Sequence, residues 1–167
     1  MSKIIKILAH EVWDVIVPDV DRKWTGLIFH HTAHDAQDDQ GGYIDWLHKN
    51  GKREGYPVFK YGMGYHFTVN KSGSIEIGER WLLQLHGAHC RTNKQSWNFD
   101  YIGIALAGNL QHQRPTGRQI ISLLSLIRNL KYHIGVIHSL LVPTKCPGRY
   151  FPINDVYDCL NFMKLRT

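Results

Sequence analysis

The sequence has few cysteines, and they do not form a disulfide framework. Cys90, Cys146 and Cys159 are odd in number and lie far apart in a chain of 167 residues. Small secreted domains that depend on disulfides carry an even and dense set of cysteines. We therefore expect free thiols, and a chain of this length can bury a core without cross-links.

Long apolar runs are also absent. The N-terminal segment reads Met-Ser-Lys-Ile-Ile-Lys-Ile-Leu-Ala-His, in which Lys6 and His10 leave only short apolar stretches. A signal peptide needs an apolar run of about 7–15 residues, and a membrane span needs about 20. The sequence thus predicts synthesis in the cytoplasm and no stable association with a membrane.

Repeats, low-complexity tracts and Pro/Ser-rich linkers are absent as well. Apolar residues make up 43% of the chain and charged residues 20%, which is typical of a soluble globular protein and excludes a disordered chain or a membrane bundle. Length and composition therefore predict a single domain over residues 1–167, with a mixed lead-in over residues 1–23.

Histidine and positive charge are the features that the sequence has in excess. The chain carries 11 histidines and a net charge of +6. Histidine serves in metal binding and acid–base chemistry, and positive charge favours a polyanionic partner. The basic residues are spread along the chain without an RNA- or DNA-binding motif, so we expect no nucleic-acid partner.

Hydrophobic periodicity predicts strands that alternate with helices, and hence an α/β fold with a central mixed β-sheet flanked by helices. The predicted strands are Gly26–His31, Tyr65–Asn70, Ser74–Gly78, Tyr101–Ala107 and Val136–His138, with a candidate edge strand at Val15–Val17. The predicted helices are Asp38–Asn50, Gln119–His133 and Pro152–Leu165.

The segment from His138 to Cys146 carries the strongest chemical signal. Pro143 and Pro147 restrict the loop backbone and can hold Cys146 in a fixed place. A thiolate and an imidazole are suitable ligands for tetrahedral Zn²⁺, but two ligands make only half of a site. A buried thiol after a surface histidine explains this segment equally well.

A third ligand is available at the end of the first long predicted strand. In an extended strand His30 and His31 point to opposite faces, so only one of them can reach a given site. The residues alone do not choose between the two, nor do they exclude a histidine that simply packs in the sheet. Two histidines and one cysteine would leave an open position for water, which is the pattern of a catalytic zinc.

A rival cluster lies at His86-Gly-Ala-His89-Cys90. It has suitable residue types, but adjacent ligands such as His89 and Cys90 are awkward for tetrahedral geometry. Because the cluster lies on a short stretch between strands, its side chains are better placed to line a groove than to enclose a metal ion. We therefore rank this cluster below the first one.

Four sequence blocks occur in an order that resembles a known enzyme family. They are Leu27-Ile-Phe-His-His-Thr-Ala33, Gly64-Tyr-His-Phe67, Gly87-Ala-His89 with Asn98 to Ile104, and His138 to Pro147. Together they resemble the zinc-dependent N-acetylmuramoyl-L-alanine amidases of the type 2 amidase family, which includes phage lysozyme-type amidases and peptidoglycan recognition proteins. The resemblance covers residues 24–150 as the core of the domain, followed by a closing helix over residues 152–166.

The resemblance implies a role for individual residues. It implies zinc ligands at His30, His138 and Cys146, and in this way favours His30 over its neighbour. It implies a catalytic tyrosine at Tyr65, for which a strand aromatic packed in the core is the alternative interpretation. Thr144 falls on a position that is lysine or threonine in active members.

Four further residues are assigned less directly. Lys145 lies one position after the family's lysine, and it is a candidate catalytic helper. His89 and Asn98 match positions that contact the sugar and stem peptide in recognition proteins, and His31 is expected on the substrate side. The stretch between His89 and Asn98 is longer than usual for the family, and so is Arg53–Met63.

The function implied by the resemblance is hydrolysis of the amide between N-acetylmuramic acid and L-alanine in peptidoglycan. We expect a monomeric phage or prophage endolysin that reaches the wall through membrane lesions, and its positive charge suits an anionic wall. One alternative is a recognition module that binds muropeptide without cleaving it, although such relatives usually lack the zinc cysteine. Another is the same amidase chemistry used as an antibacterial effector.

Overall fold

A mixed β-sheet with flanking helices organises the protein. The computed structural model describes residues 4–7, 22–34, 40–50, 59–92 and 96–165. Its strands are β1 (Ile5–Ile7), β2 (Gly26–His31), β3 (Phe67–Val69), β4 (Ile75–Ile77), β5 (Tyr101–Leu106) and β6 (Gly135–Ile137). Its helices are α1 (Gln40–Asn50), α2 (Glu79–Leu82), α3 (Ser96–Asp100), α4 (Gly117–Leu130) and α5 (Ile153–Lys164), with a 3₁₀ turn at His138–Leu140.

The strand order within this described part is β1-β4-β3-β5-β2-β6. The β3, β5, β2 and β6 strands run parallel to one another, whereas β4 pairs antiparallel with both β1 and β3. The predicted α/β fold with a mixed sheet is therefore confirmed. Because β2 lies between two parallel neighbours, the carboxyl ends of β5, β2 and β6 meet at one edge of the sheet.

The side chains of β2 alternate between the two faces of the sheet. Leu27 and Phe29 belong to the main core, which α4 and α5 cover with buried apolar side chains: Leu123, Leu126, Ile127, Leu130, Val156, Cys159 and Leu160. Ile28 and His30 point the other way. The period of two along the strand thus brings His30 to the face away from α4 and α5.

The N-terminus of α1 is held over β4 by a buried carboxylate. Glu76 accepts backbone hydrogen bonds from Gly41 at 2.7 Å and from Gly42 at 3.1 Å. A negative charge there satisfies unpaired N–H groups and complements the helix dipole. Because both neighbours of Glu76 in β4 belong to the core, α1 lies on the face of the sheet that carries His30.

The start of α4 differs from the prediction because of its cap. The apolar repeat predicted a helix from Gln119, but Thr116 is the N-cap and the helix begins at Gly117. The Thr116 hydroxyl accepts from the Gln119 backbone N–H, and the Gln119 side chain accepts from the Thr116 N–H, each at 3.1 Å. This capping box satisfies two N–H groups that have no partner within the helix. The helix ends at Leu130, and its C-cap, Lys131, has a left-handed φ of 59°.

Other predicted boundaries differ by a few residues. The predicted hairpin strands are shorter in the structure, so Tyr65 and His66 precede β3. The β6 strand ends at Ile137, and His138 opens the 3₁₀ turn instead of closing the strand. The β1, α2 and α3 elements were not predicted. The candidate strand at Val15–Val17 lies outside the described residues. In the part that the structure describes, no helix is both long and apolar enough to cross a membrane.

Candidate metal centre and groove

Three side chains that are far apart in the sequence meet at the carboxyl ends of β2 and β6. His30 comes from the end of β2, His138 follows β6 directly, and Cys146 lies in the loop beyond the 3₁₀ turn. One donor atom from each lies within 4.8 Å of the other two. The parallel pairing of β2 and β6 explains this meeting, because it brings the two strand ends to one edge.

The donor set fits a zinc ion. The distance from His30 Nδ1 to Cys146 Sγ is 3.6 Å. Zinc binds a histidine nitrogen at about 2.0–2.1 Å and a cysteine sulfur at about 2.3 Å. At the tetrahedral angle, these bond lengths place the nitrogen and the sulfur about 3.6 Å apart. Both ring nitrogens of His138 are buried, and neither has a hydrogen-bond partner among the residues that the structure describes. A buried polar atom without a partner is costly, and a metal ion would satisfy one of these nitrogens.

Electrostatics at Cys146 also favour a cation. Burial raises the pKa of the Cys146 thiol to about 12, the backbone N–H of His31 opposes this shift, and nearby Cys90 adds to it. The His31 N–H donates to Sγ at 3.4 Å, which favours the thiolate. A thiol in this setting stays protonated without a positive neighbour, whereas a coordinating thiol loses its proton outright.

His30 is buried and neutral. Burial is the largest cause that lowers its pKa well below the ordinary value, and the nearby rings of His89, His138 and His31 lower it further. Its Nε2 lies 3.1 Å from His89 Nδ1, and His89 Nε2 lies 3.2 Å from the carbonyl oxygen of Tyr101. A neutral imidazole is the form that binds a metal.

A groove of about 690 Å³ opens at this cluster, and two of the three donors, His138 and Cys146, line it. It is lined by residues from several segments, namely His31, Thr32, Ala33, Leu47, His48, Phe59, Tyr65, Ala88, His89, Arg91, Asn98, His138, Val142, Thr144 and Cys146. The sequence did not identify Leu47, His48, Phe59 and Arg91 as groove residues. They belong to no motif. Leu47 and His48 lie on α1, and the Phe59 N–H donates to the His48 carbonyl at 2.9 Å.

Both residues that the resemblance implies as catalytic line this groove. The ring centroid of Tyr65 lies 5.1 Å from that of His30, while Phe67 takes the core position. Thr144 is exposed, and its Oγ1 accepts from the Cys146 N–H at 3.2 Å, which leaves the hydroxyl proton free to be donated. Lys145 is not brought into the groove, because it lines a separate depression of about 340 Å³.

The expected substrate contacts have internal partners. Asn98 Oδ1 accepts from the backbone N–H groups of His89 and Cys90, both at 2.9 Å. His31 Nδ1 accepts from the Leu110 N–H at 3.0 Å, so the neutral ring carries its proton on Nε2. Burial lowers the His31 pKa to about 4, with the charge of His138 as a smaller cause. The ring is therefore neutral, and its Nε2–H is the group that can donate a hydrogen bond.

The rival cluster does not form a metal site. His86 is exposed and stacks on Phe99 at 4.5 Å between ring centroids. Cys90 is buried, which raises its pKa to about 11. Among the described residues, the group that can hold a metal is His30, His138 and Cys146.

Comparison with known proteins identifies the family. The family described as N-acetylmuramoyl-L-alanine amidase matches residues 20–149. The chain belongs to this family. The amidase LysC from Clostridium intestinale URNW is similar to it, with 31% sequence identity and a TM-score of 0.67 over 83% of this chain and 86% of that one.

Two recognition proteins are similar as well. A peptidoglycan recognition protein from Trichoplusia ni is 29% identical in an alignment of 97 residues that covers 53% of this chain. The match spans half of that protein's length (50%). Bumblebee PGRP-SA is 20% identical, with a TM-score of 0.62 over 82% of this chain and 87% of that one, and it supports the fold alone.

Proposed function

We propose that this chain is a zinc-dependent amidase that hydrolyses the bond between N-acetylmuramic acid and L-alanine in peptidoglycan. The meeting of His30, His138 and Cys146 beside a groove, which His138 and Cys146 line, is the observation that carries the proposal. Three protein ligands leave the open position that a catalytic zinc needs. Family membership and the likeness to LysC, an N-acetylmuramoyl-L-alanine amidase, support this substrate class.

Amide hydrolysis requires an activated water and a stabilised oxyanion. Zinc, when bound, lowers the pKa of a coordinated water to about 7 and polarises the scissile carbonyl. Tyr65 and Thr144 line the groove and hold hydroxyl groups that donate to the developing oxyanion. His31 also lines the groove, and its Nε2–H adds a third donor. Losing one oxyanion donor typically lowers the rate by roughly 10²–10³.

The groove also suits an anionic substrate. Arg91 lines it and adds a fixed positive charge, and the net charge of the whole chain is +6. Stem peptides of peptidoglycan carry carboxylates, so this charge raises the local substrate concentration and the association rate. Lys145 lies outside the groove, and we give it no part in catalysis.

We infer a phage or prophage endolysin that acts as a monomeric single domain over residues 1–167. Support comes from the likeness to LysCS of Clostridium intestinale URNW, an endolysin with 30% identity and a TM-score of 0.67. Such an enzyme is made in the cytoplasm and reaches the wall through membrane lesions.

A recognition module that binds muropeptide without cleaving it is the second candidate function. The match to the Trichoplusia ni peptidoglycan recognition protein favours it. The complete set of three metal donors favours cleavage instead, because binding alone needs no metal.

Digestion of purified sacculi tests the proposal. With zinc added, we expect stem peptides with a free L-alanine amino group, detected by mass spectrometry, and intact glycan strands. A chelator and Cys146→Ser should each abolish release, whereas the control Cys159→Ala, in the core near α4, should not. Full release in the presence of the chelator would contradict the zinc mechanism. Tight muropeptide binding without release would favour the recognition module.

A further inference from the structure

We propose that His89 is a positioning residue that fixes the ring orientation and the tautomer of His30. The resemblance in sequence implies a contact between His89 and substrate instead. The inference rests on the proposed zinc site, because it concerns how one ligand of that site is prepared to bind.

The hydrogen-bond direction is set by a backbone carbonyl. The carbonyl oxygen of Tyr101 can only accept, so His89 Nε2, 3.2 Å away, must donate. His89 is buried, and a charged imidazolium is costly to take out of water, so the ring is neutral. A neutral ring with its proton on Nε2 has a bare Nδ1, which can only accept.

The same argument determines which nitrogen of His30 carries the proton. The bare His89 Nδ1 lies 3.1 Å from His30 Nε2, so the proton of His30 is on Nε2 and points at His89. His30 Nδ1 is then bare and faces Cys146 Sγ at 3.6 Å. This is the nitrogen that a metal ion needs, and the hydrogen bond to the other nitrogen increases its basicity.

Neither ring nitrogen of His89 is left for a substrate. Both ring nitrogens are engaged within the protein, one with His30 and one with Tyr101. The side chain contributes only ring carbon to the groove. A hydrogen bond from substrate to this ring would break the link to the proposed metal ligand.

The fold makes room for the His89 ring at two glycines. A Cβ atom on Gly87 would lie 2.3 Å from His89 Cδ2, and one on Gly103 would lie 2.4 Å from the same atom. Asn98 accepts from the His89 backbone N–H at 2.9 Å. The two glycines restrict where the ring can lie, and Asn98 holds the backbone that carries it.

Zinc affinity of two matched variants tests the proposal. His89→Leu removes both hydrogen bonds, and we expect zinc binding to weaken roughly 10–100-fold in competition with a chromogenic chelator. His89→Gln keeps one donor and one acceptor, and it should restore most of the affinity. His86→Gln, at an exposed histidine of the same segment, is the control and should bind zinc like the wild type. Wild-type zinc affinity in folded His89→Leu would overturn the proposal.

The tautomer of His30 gives a readout that needs neither zinc nor a variant. In ¹⁵N NMR of the metal-free wild-type protein, we expect the His30 proton on Nε2, and a proton on Nδ1 would overturn the proposal. If His89→Leu does not fold, this measurement decides. Failure of the proposed function has a different signature, namely the expected tautomer and zinc affinity in a protein that releases no stem peptide.

Discussion

Acid should destabilise this protein through His66, a histidine that lies outside the proposed ligand set. The ring is completely buried, with Nε2 donating to the Leu85 carbonyl at 3.0 Å and Nδ1 accepting from the Gly103 N–H at 2.9 Å. Burial is the main cause that lowers its pKa to about 3, with the hydrogen bond to Leu85 opposing the shift. Both ring nitrogens are satisfied only in the neutral form, because Nδ1 must stay bare to accept.

Proton linkage gives the direction in which the stability of the folded protein changes with pH. The unfolded chain binds a proton at the His66 ring near pH 6.5, whereas the folded protein does not until about pH 3. The stabilisation is therefore fully present above pH 6.5 and is lost as the pH falls toward 3. Each pH unit below 6.5 removes about 1.4 kcal/mol, so lowering the pH from 7.5 to 5.5 costs about 1.4 kcal/mol through His66 alone.

Urea unfolding followed by tryptophan fluorescence measures this effect. The metal-free wild-type protein and His66→Gln are compared between pH 7.5 and 5.5, since glutamine keeps a donor and an acceptor but does not titrate. We expect the free energy of unfolding of His66→Gln to fall by about 1.4 kcal/mol less than that of the wild type over this range. An exposed histidine serves as the control, and His133→Gln should follow the wild type. Parallel curves for wild type and His66→Gln would refute the reasoning.

Three further predictions concern the catalytic groove and the fold. Tyr65→Phe should lower the rate of stem-peptide release by roughly 10²–10³ with unchanged zinc content, and wild-type activity would remove Tyr65 from catalysis. Gly103→Ala places a methyl group 2.4 Å from His89 Cδ2, so chelator competition should show zinc binding weakened by roughly 10–100-fold, and unchanged affinity would contradict the fixed ring position. Thr116→Ala removes the α4 cap and should cost about 0.5–2 kcal/mol in urea unfolding without changing zinc affinity. A loss of zinc there would mean that α4 and the metal centre are coupled.

The elements with a long periodic signal were predictable from the sequence. The apolar run of β2 and the repeat in α4 identified both elements, because burial on a strand face or a helix stripe leaves a regular pattern. The β1 strand has three residues, and its antiparallel partner β4 lies about 70 residues away. Helix α2 is barely one turn. Such short elements depend on tertiary contacts, so their local sequence carries little signal.

Sequence motifs were enough to identify the candidate metal ligands, but they did not predict the contacts that hold these ligands in place. Alternation along β2 did not choose between His30 and His31, and the resemblance favoured His30. The structure brings both to the site, since the His31 backbone N–H contacts Cys146 Sγ. The resemblance associated His89 with substrate, whereas its ring nitrogens bond to His30 and Tyr101. That ring direction depends on the space that Gly87 and Gly103 leave beside the ring, which only the folded structure shows.

Zinc content of the purified protein tests the central claim most directly. Elemental analysis after dialysis should find about one zinc ion per chain in the wild type, and none in His138→Ala or Cys146→Ser. Cys159→Ala should keep the full zinc content, since that thiol packs against the Leu124 carbonyl in the core. A wild-type protein that binds no zinc at saturating concentrations would contradict the account. So would a folded His138→Ala variant that retains one zinc per chain.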